Sequence, residues 1–169
     1  MALAVAEYLR GRWRRAGWAA QEGLELALQT GERHNQAFAL AVRALVRGSQ
    51  GDEEGCRADA AEAMSIAGER AIAVARIHAL WALGVLELSL DQAEGAARLL
   101  RPHRERLLAA GVGEPGSVRF VPDEIEALVA LGRTDEAEAL LAWLEERGRT
   151  LDRASALAAA ARCRGLLAL

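Results

Sequence analysis

The sequence contains no lysine, so all 21 of its basic side chains are arginines. A high-GC coding bias is the simplest explanation of this composition. Because the phosphate-binding loop Gly-x-x-x-x-Gly-Lys requires a lysine, the chain cannot contain that motif. The 24 acidic residues give a formal net charge of −3, which disfavours nucleic acid as a partner of the chain as a whole.

Cysteine is also scarce. Cys56 and Cys163 are far apart in sequence and make neither a CxxC metal pair nor a disulfide framework. We expect Cys56 to be buried and inert, whereas the neighbouring Arg162 and Arg164 could lower the pKa of Cys163. Two free thiols are typical of a reduced, cytoplasmic location.

Long apolar runs are missing as well. No run approaches the roughly 20 residues that a membrane-spanning helix needs. Glu7 and Arg10 break the apolar core that a signal peptide would require near the N-terminus. The sequence therefore predicts a cytoplasmic protein with no membrane partner.

Helix-forming residues make up much of what is present. Hydrophobic residues account for 52% of the chain, largely alanine and leucine, while aromatic residues account for only 4%. Only three prolines occur, and all of them lie between Arg101 and Asp123. At 169 residues the chain is long enough for one domain with a core, and we expect that domain to be all-α.

A turn followed by a small residue recurs along the chain. The turn positions are spaced 40, 40 and 41 residues apart, and a small residue follows each of them by five positions. The turn residues are Gly11, Gly51, Asp91 and Gly132, and the small residues are Ala16, Cys56, Ala96 and Ala137. A fixed period of this size is typical of a helical repeat array. The prediction is therefore one repeat domain spanning residues 1–169.

Two apolar-periodic segments flank each of these turns and predict paired helices. Apolar helices at both ends, without a polar capping face, suggest a fragment of a longer protein or a surface for self-association. The predicted helices are Met1–Arg10, Arg12–Thr30, Glu32–Gln50, Asp52–Ala67, Arg70–Leu90, Asp91–Ala110, Asp123–Leu131, Thr134–Arg147 and Leu151–Leu169.

Three local features refine this pattern. Pro102 should either kink or split its helix. Residues 111–122 contain two prolines and three glycines and predict a loop, which at this length favours a functional role. Thr134 is a plausible N-cap, and Trp13 is expected in the repeat core.

The turn pattern resembles tetratricopeptide repeats, which implies an α-solenoid of antiparallel helix pairs with right-handed superhelical curvature. A second resemblance is to the helical region of LuxR-type large ATP-binding transcription regulators. Its motifs are Gly113-Glu-Pro-Gly116, residues 122–133 (Pro-Asp-Glu-Ile-Glu-Ala-Leu-Val-Ala-Leu-Gly-Arg), Leu151-Asp-Arg153 and residues 160–167 (Ala-Ala-Arg-Cys-Arg-Gly-Leu-Leu).

This second resemblance implies a sensing and coupling module. Such regulators carry an ATPase before the helical region and a helix-turn-helix after it. Neither a phosphate loop nor a basic recognition helix occurs in this sequence, so neither activity carries over. We expect no catalysis, no cofactor and no nucleic-acid binding through this region. The partner would be a protein or small-molecule effector, and the alternative is a stand-alone scaffold that binds a peptide or protein.

The candidate groove residues are His78, Trp81, Arg119, Asp123 and Glu126. In a repeat array with a concave inner face, an aromatic floor and a few charges would form a ligand or peptide groove. The alternative is that Trp81 packs between helices and that His78 is a satisfied polar group. An enzyme would require His78, Asp123 and Glu126 to converge in a closed pocket. The histidines have no paired spacing, so we expect no metal site.

Two arginine clusters remain. One comprises Arg10, Arg12, Arg14 and Arg15 around Trp13, with Trp18 close by, and such a mixture can bind nucleic acid, although a solvated helix face is the plainer interpretation. In the other, Arg98, Arg101 and Arg104 share a helix face and could meet an acidic partner or a phosphate, or form a plain surface ridge.

Overall fold

The computed structural model describes residues 2–68 and 74–168. Within these ranges every regular element is an α-helix, which confirms the all-α prediction. None of the described helices is both long and apolar enough to cross a membrane. The helices are α1 (Ala2–Leu9), α2 (Trp13–Thr30), α3 (Arg33–Ser49), α4 (Glu53–Ala67), α5 (Val74–Ser89), α6 (Ala93–Ala109), α7 (Val121–Ala130), α8 (Thr134–Thr150) and α9 (Ala154–Leu167).

The four predicted turn positions share one backbone conformation. The φ angles are +70° at Gly11, +80° at Gly51 and +68° at Gly132, and Asp91 adopts +59° although it is not a glycine. The amides of Gly132 and of the next residue, Arg133, bond back to carbonyls three and five residues earlier, at 2.9 Å each. This pairing satisfies the last carbonyls of α7 and ends the helix in a left-handed cap.

The small residues five positions later are all fully buried. Ala16, Cys56, Ala96 and Ala137 each have a relative exposure of 0%. A larger side chain at such a point would hold neighbouring helices apart. Cys56 itself meets Gly48 of α3 closely, since a Cβ added to Gly48 would lie 3.1 Å from Cys56 Sγ.

The chain divides into two compact units, Met1–Ser89 and Leu90–Leu169. In the first, α3 packs against α2, α4 and α5, and α1 packs against α2. Every described residue of α3 from Ala39 to Val46 is buried except Arg43, because neighbours cover the helix on several sides. The carboxylate of Asp59, from α4, accepts hydrogen bonds from Arg43 and Arg47 of α3.

In the second unit, α7 packs against α6, α8 and α9, and α8 also packs against α9. The segment between α6 and α7 contributes to this core, since Val118 and Phe120 are fully buried. The Phe120 ring lies 5.4 Å from the ring of His103 on α6. Its apolar residues anchor this segment to the helices, and the expected functional role of residues 111–122 stays a prediction.

Several local predictions need correction. Pro102 lies inside an unbroken α6, so it does not split the helix. Arg133 occupies the N-cap of α8 and Thr134 is the first helical residue, without a capping side-chain bond. Trp13 is 41% exposed and is not part of the core. The predicted start of the fifth helix, Arg70 to Ala73, lies outside the described residues.

Candidate functional site

Two of the predicted groove residues lie on α5 in the first unit. Trp81 is only 5% exposed, and its ring meets Tyr8 edge-on at 5.6 Å. His78 is half-buried, with Nδ1 2.9 Å from the Val74 carbonyl oxygen and its ring 5.0 Å from that of Phe38. These contacts favour the packing interpretation of Trp81 over an open aromatic floor.

The other three predicted residues lie in the second unit. Asp123 and Glu126, one helical turn apart on α7, both face Arg162 of α9, at 3.4 Å and 2.5 Å. Arg119 is exposed, and its Nε donates to the carbonyl of Gly116 at 2.7 Å. Sequence reasoning did not identify Arg162, which bridges the two carboxylates and ties α9 to α7.

The five residues are therefore divided between the two units. His78 and Trp81 belong to the first, and Arg119, Asp123 and Glu126 to the second. Their convergence in one groove stays a prediction.

A different site is formed wholly within the second unit. It is a cleft of about 300 Å³ beside α7, between α6 and α8, and we refer to it as the α6–α8 cleft. This volume is at the lower end of the range of ligand pockets, roughly 300–1,000 Å³. The lining residues are Arg101, Arg104, Leu108, Leu128, Glu136, Ala139, Leu140 and Trp143.

The floor of the α6–α8 cleft is apolar. Leu128 and Leu140 are 2% and 8% exposed, and Leu108 and Trp143 are half-buried. Trp143 thus presents part of its ring to solvent beside three leucine side chains. An aromatic wall of this kind is suited to an apolar ligand body or to the apolar side chain of a peptide.

The rim of the cleft is charged. Glu136 is held between the guanidinium groups of Arg101 and Arg133, the latter at 2.6 Å. Arg104 makes a bidentate pair with Glu124, at 2.8 Å and 3.0 Å, and Glu124 is fully buried. The Arg104–Glu124 pair is therefore part of the structure of the unit, whereas the Arg101–Glu136 pair is accessible and could exchange with a ligand.

The sequence contained a partial signal for this cleft. The three-residue spacing of Arg98, Arg101 and Arg104 placed them on one face of α6, and two of the three line the cleft. Glu136 and Trp143 are seven residues apart and therefore share a face of α8. The prediction missed the cleft because the contact of that face with α7 depends on tertiary packing.

The two thiols have similar environments. Both cysteines are fully buried, and burial raises the pKa of each to about 11. The result agrees with the prediction for Cys56 but reverses it for Cys163. Burial outweighs the opposing effect of Arg162, and Cys163 Sγ lies 3.7 Å from the Pro122 carbonyl, to which it donates.

The arrangement of potential metal ligands offers no further candidate. Within residues 2–68 and 74–168, no three histidine, cysteine, aspartate or glutamate side chains come together in a way that could hold a metal ion.

Comparisons with known proteins give no relative. A scan against protein-family models found no match, and searches of curated proteins and of solved structures found no significant match.

Proposed function

We propose that this protein is a non-catalytic binding module whose helix pairs form a tetratricopeptide-like solenoid with right-handed curvature. The proposal is supported by the conformation of the four turns, each with positive φ, and by the complete burial of the small residue that follows each turn. In the first unit α3 contacts both α4 and α5, and in the second unit α7 contacts both α8 and α9, so these helices meet their partner and the helix two elements further on.

The observation that carries the binding role is the α6–α8 cleft. Trp143 and three leucines offer apolar contact, and the accessible Arg101–Glu136 pair offers one donor and one acceptor group at the rim. These groups can recognise a small effector with an apolar body or an apolar side chain of a peptide. The lining groups provide contacts rather than a positioned nucleophile and base, which supports a binding role.

The sequence resemblance favours a cytoplasmic module of a LuxR-type transcription regulator. Such a module senses an effector and couples its binding to domains outside this chain. The alternative is a stand-alone scaffold for a peptide or protein. An immunoblot of the source cells separates the two. A band several times larger than 18.1 kDa supports the regulator, whereas a band at 18.1 kDa supports the scaffold.

A thermal-shift screen of metabolites and short apolar peptides tests the binding role. A ligand at about 100 times its Kd should stabilise the native state by about 2.7 kcal/mol. In Ala139→Arg the new side chain would fill the cleft and abolish the shift. Ala158→Arg is the matched control, because Ala158 is also an exposed alanine of the second unit, on α9, and does not line the cleft.

The predicted groove is tested by the same screen with Arg119→Ala, because Arg119 is exposed and its loss should leave the fold intact. A shift that persists in Ala139→Arg but disappears in Arg119→Ala would move the site from the cleft to the predicted groove. A screen without any shift would contradict the binding role itself.

A further inference from the structure

The turn between α1 and α2, together with the start of α2, carries a dense cluster of exposed cationic and aromatic side chains. We call it the arginine–tryptophan patch, and its members are Arg10, Arg12, Trp13, Arg14, Arg15 and Trp18. Trp13 is 41% exposed and Trp18 is 68% exposed, the largest exposure among the large hydrophobic residues described. A shallow cavity of about 420 Å³ lies along residues 11–15.

This exposure corrects the expectation that Trp13 lies in the repeat core, while the exposed arginines agree with a solvated helix face. The core stripe of α2 consists of Ala16, Ala20, Leu24 and Ala27. Trp18 lies on the opposite side of the helix from this stripe, whereas Trp13 lies in line with Ala16 and Ala20 but is exposed at the start of the helix. Two tryptophans within six residues thus leave a large part of their apolar surface in contact with solvent. Large exposed apolar side chains beside charged groups are typical of an interaction surface.

The local charge is strongly positive although the chain as a whole is acidic. Glu7 is the carboxylate that reaches the patch, at 3.8 Å from Arg10 and 3.5 Å from Arg12, and it is itself buried. Arg14 lies over the ring of Trp18 at 5.6 Å, a cation–π arrangement. The net charge of −3 thus conceals a surface with an excess of three positive charges.

We propose that the arginine–tryptophan patch binds single-stranded nucleic acid. The arginines pair with successive phosphates, and unpaired bases stack on Trp13 and on the open face of Trp18. Single-strand-binding surfaces combine these two elements, a basic track for the backbone and aromatic rings for the bases. An acidic peptide would use the arginines but leave the exposed indole rings without a function, which favours nucleic acid as the occupant.

Fluorescence anisotropy with labelled DNA and RNA oligonucleotides of about 12 nucleotides tests the proposal. If three phosphates are neutralised, affinity should fall roughly 20-fold between about 50 mM and about 200 mM salt. The DNA and RNA arms show which single strand is preferred. A duplex of the same length should bind more weakly, because paired bases cannot stack on the tryptophans.

Single substitutions distinguish the contribution of base stacking to the affinity from that of the arginine charges. Trp18→Ala should weaken binding by roughly 5-fold to 150-fold while the salt dependence stays unchanged. Arg15→Gln should reduce the slope of log affinity against log salt by about 0.7. The matched controls are Leu26→Ala and Arg33→Gln, exposed residues of α2 and α3 outside the patch, and both should bind as the parent does.

Three results would overturn the proposal. The first is an absence of oligonucleotide binding at about 50 mM salt. The second is equal binding of poly-glutamate and oligonucleotide, with Trp18→Ala as tight as the parent. The third is patch-dependent binding of phosphatidylserine vesicles with no binding of either oligonucleotide, which would make the patch a membrane contact. Far-UV circular dichroism of each variant verifies that the fold is retained.

Discussion

Replacement of Asp59 should destabilise the first unit strongly. Its carboxylate is 4% exposed and accepts hydrogen bonds from Nε and a terminal nitrogen of Arg43, both at 2.7 Å, and from Arg47 at 2.8 Å. The hydrogen bond with Asp59 is also the main cause that raises the pKa of Arg43. One buried carboxylate therefore binds two guanidinium groups one turn apart on α3.

The expected loss of stability in Asp59→Ala follows from the two guanidinium groups that lose this carboxylate. Removal of one partner from a buried ion pair costs about 3–5 kcal/mol of unfolding free energy. The side chains of Arg43 and Arg47 are 19% and 33% exposed, so water partly replaces the lost carboxylate. We therefore expect about 3 kcal/mol for Asp59→Ala, and about 2 kcal/mol for Asp59→Asn, which retains one acceptor oxygen.

Urea unfolding followed by tryptophan fluorescence measures this loss. The Trp143→Phe background confines the signal to the first unit, because the remaining tryptophans lie there and Trp81 is buried beside Tyr8. Linear extrapolation gives the free energy of unfolding in water. Glu53→Ala is the control, since its ion pair with Arg57 is exposed and should contribute less than about 1 kcal/mol.

The reasoning is refuted if Asp59→Ala and Glu53→Ala unfold at the same urea concentration as the parent. A triple variant adds a second test. Asp59→Leu combined with Arg43→Met and Arg47→Met removes all three charges together, so it should be more stable than Asp59→Ala. A triple variant that is less stable than Asp59→Ala would also contradict the argument.

Three further predictions concern packing, thiols and pH. Gly48→Ala should lower the free energy of unfolding, measured in urea, by about 1–3 kcal/mol, because the new Cβ would lie 3.2 Å from a backbone carbonyl of α5. Gly17→Ala would make only ordinary contacts and should raise the free energy of unfolding by about 0.5–1 kcal/mol. A Gly48→Ala variant more stable than Gly17→Ala would be inconsistent with the packing. Cys56 and Cys163 should react with a thiol reagent only after denaturation, and rapid native labelling of either would show that its burial is wrong. Arginines of α8 and α9 lower the pKa of Glu145, so its contribution to stability is present at neutral pH and is lost as the pH falls through the folded pKa. Glu145→Gln should consequently lose less stability than the parent between about pH 7 and about pH 3, as thermal unfolding would show, and identical losses would argue against the ion pair.

The sequence alone determined the helical class and the positions of the turns. Both depend on local chemistry: alanine and leucine favour helix, and glycine ends a helix because it adopts positive φ without strain. The 40-residue period also located Asp91, which takes the same left-handed conformation without being a glycine. The same 40-residue period located the small residues that are fully buried, namely Ala16, Cys56, Ala96 and Ala137.

Tertiary structure decided which side chains are accessible. Trp13 and Trp81 both lie on apolar-periodic helices, yet the first is exposed and the second is buried against Tyr8, 73 positions earlier in the chain. Helical period shows that residues share a face, but not which neighbouring helix covers that face. The buried pairs Asp59–Arg43 and Glu124–Arg104, and the α6–α8 cleft, depend on how separate helices pack against one another, so only tertiary structure could specify them.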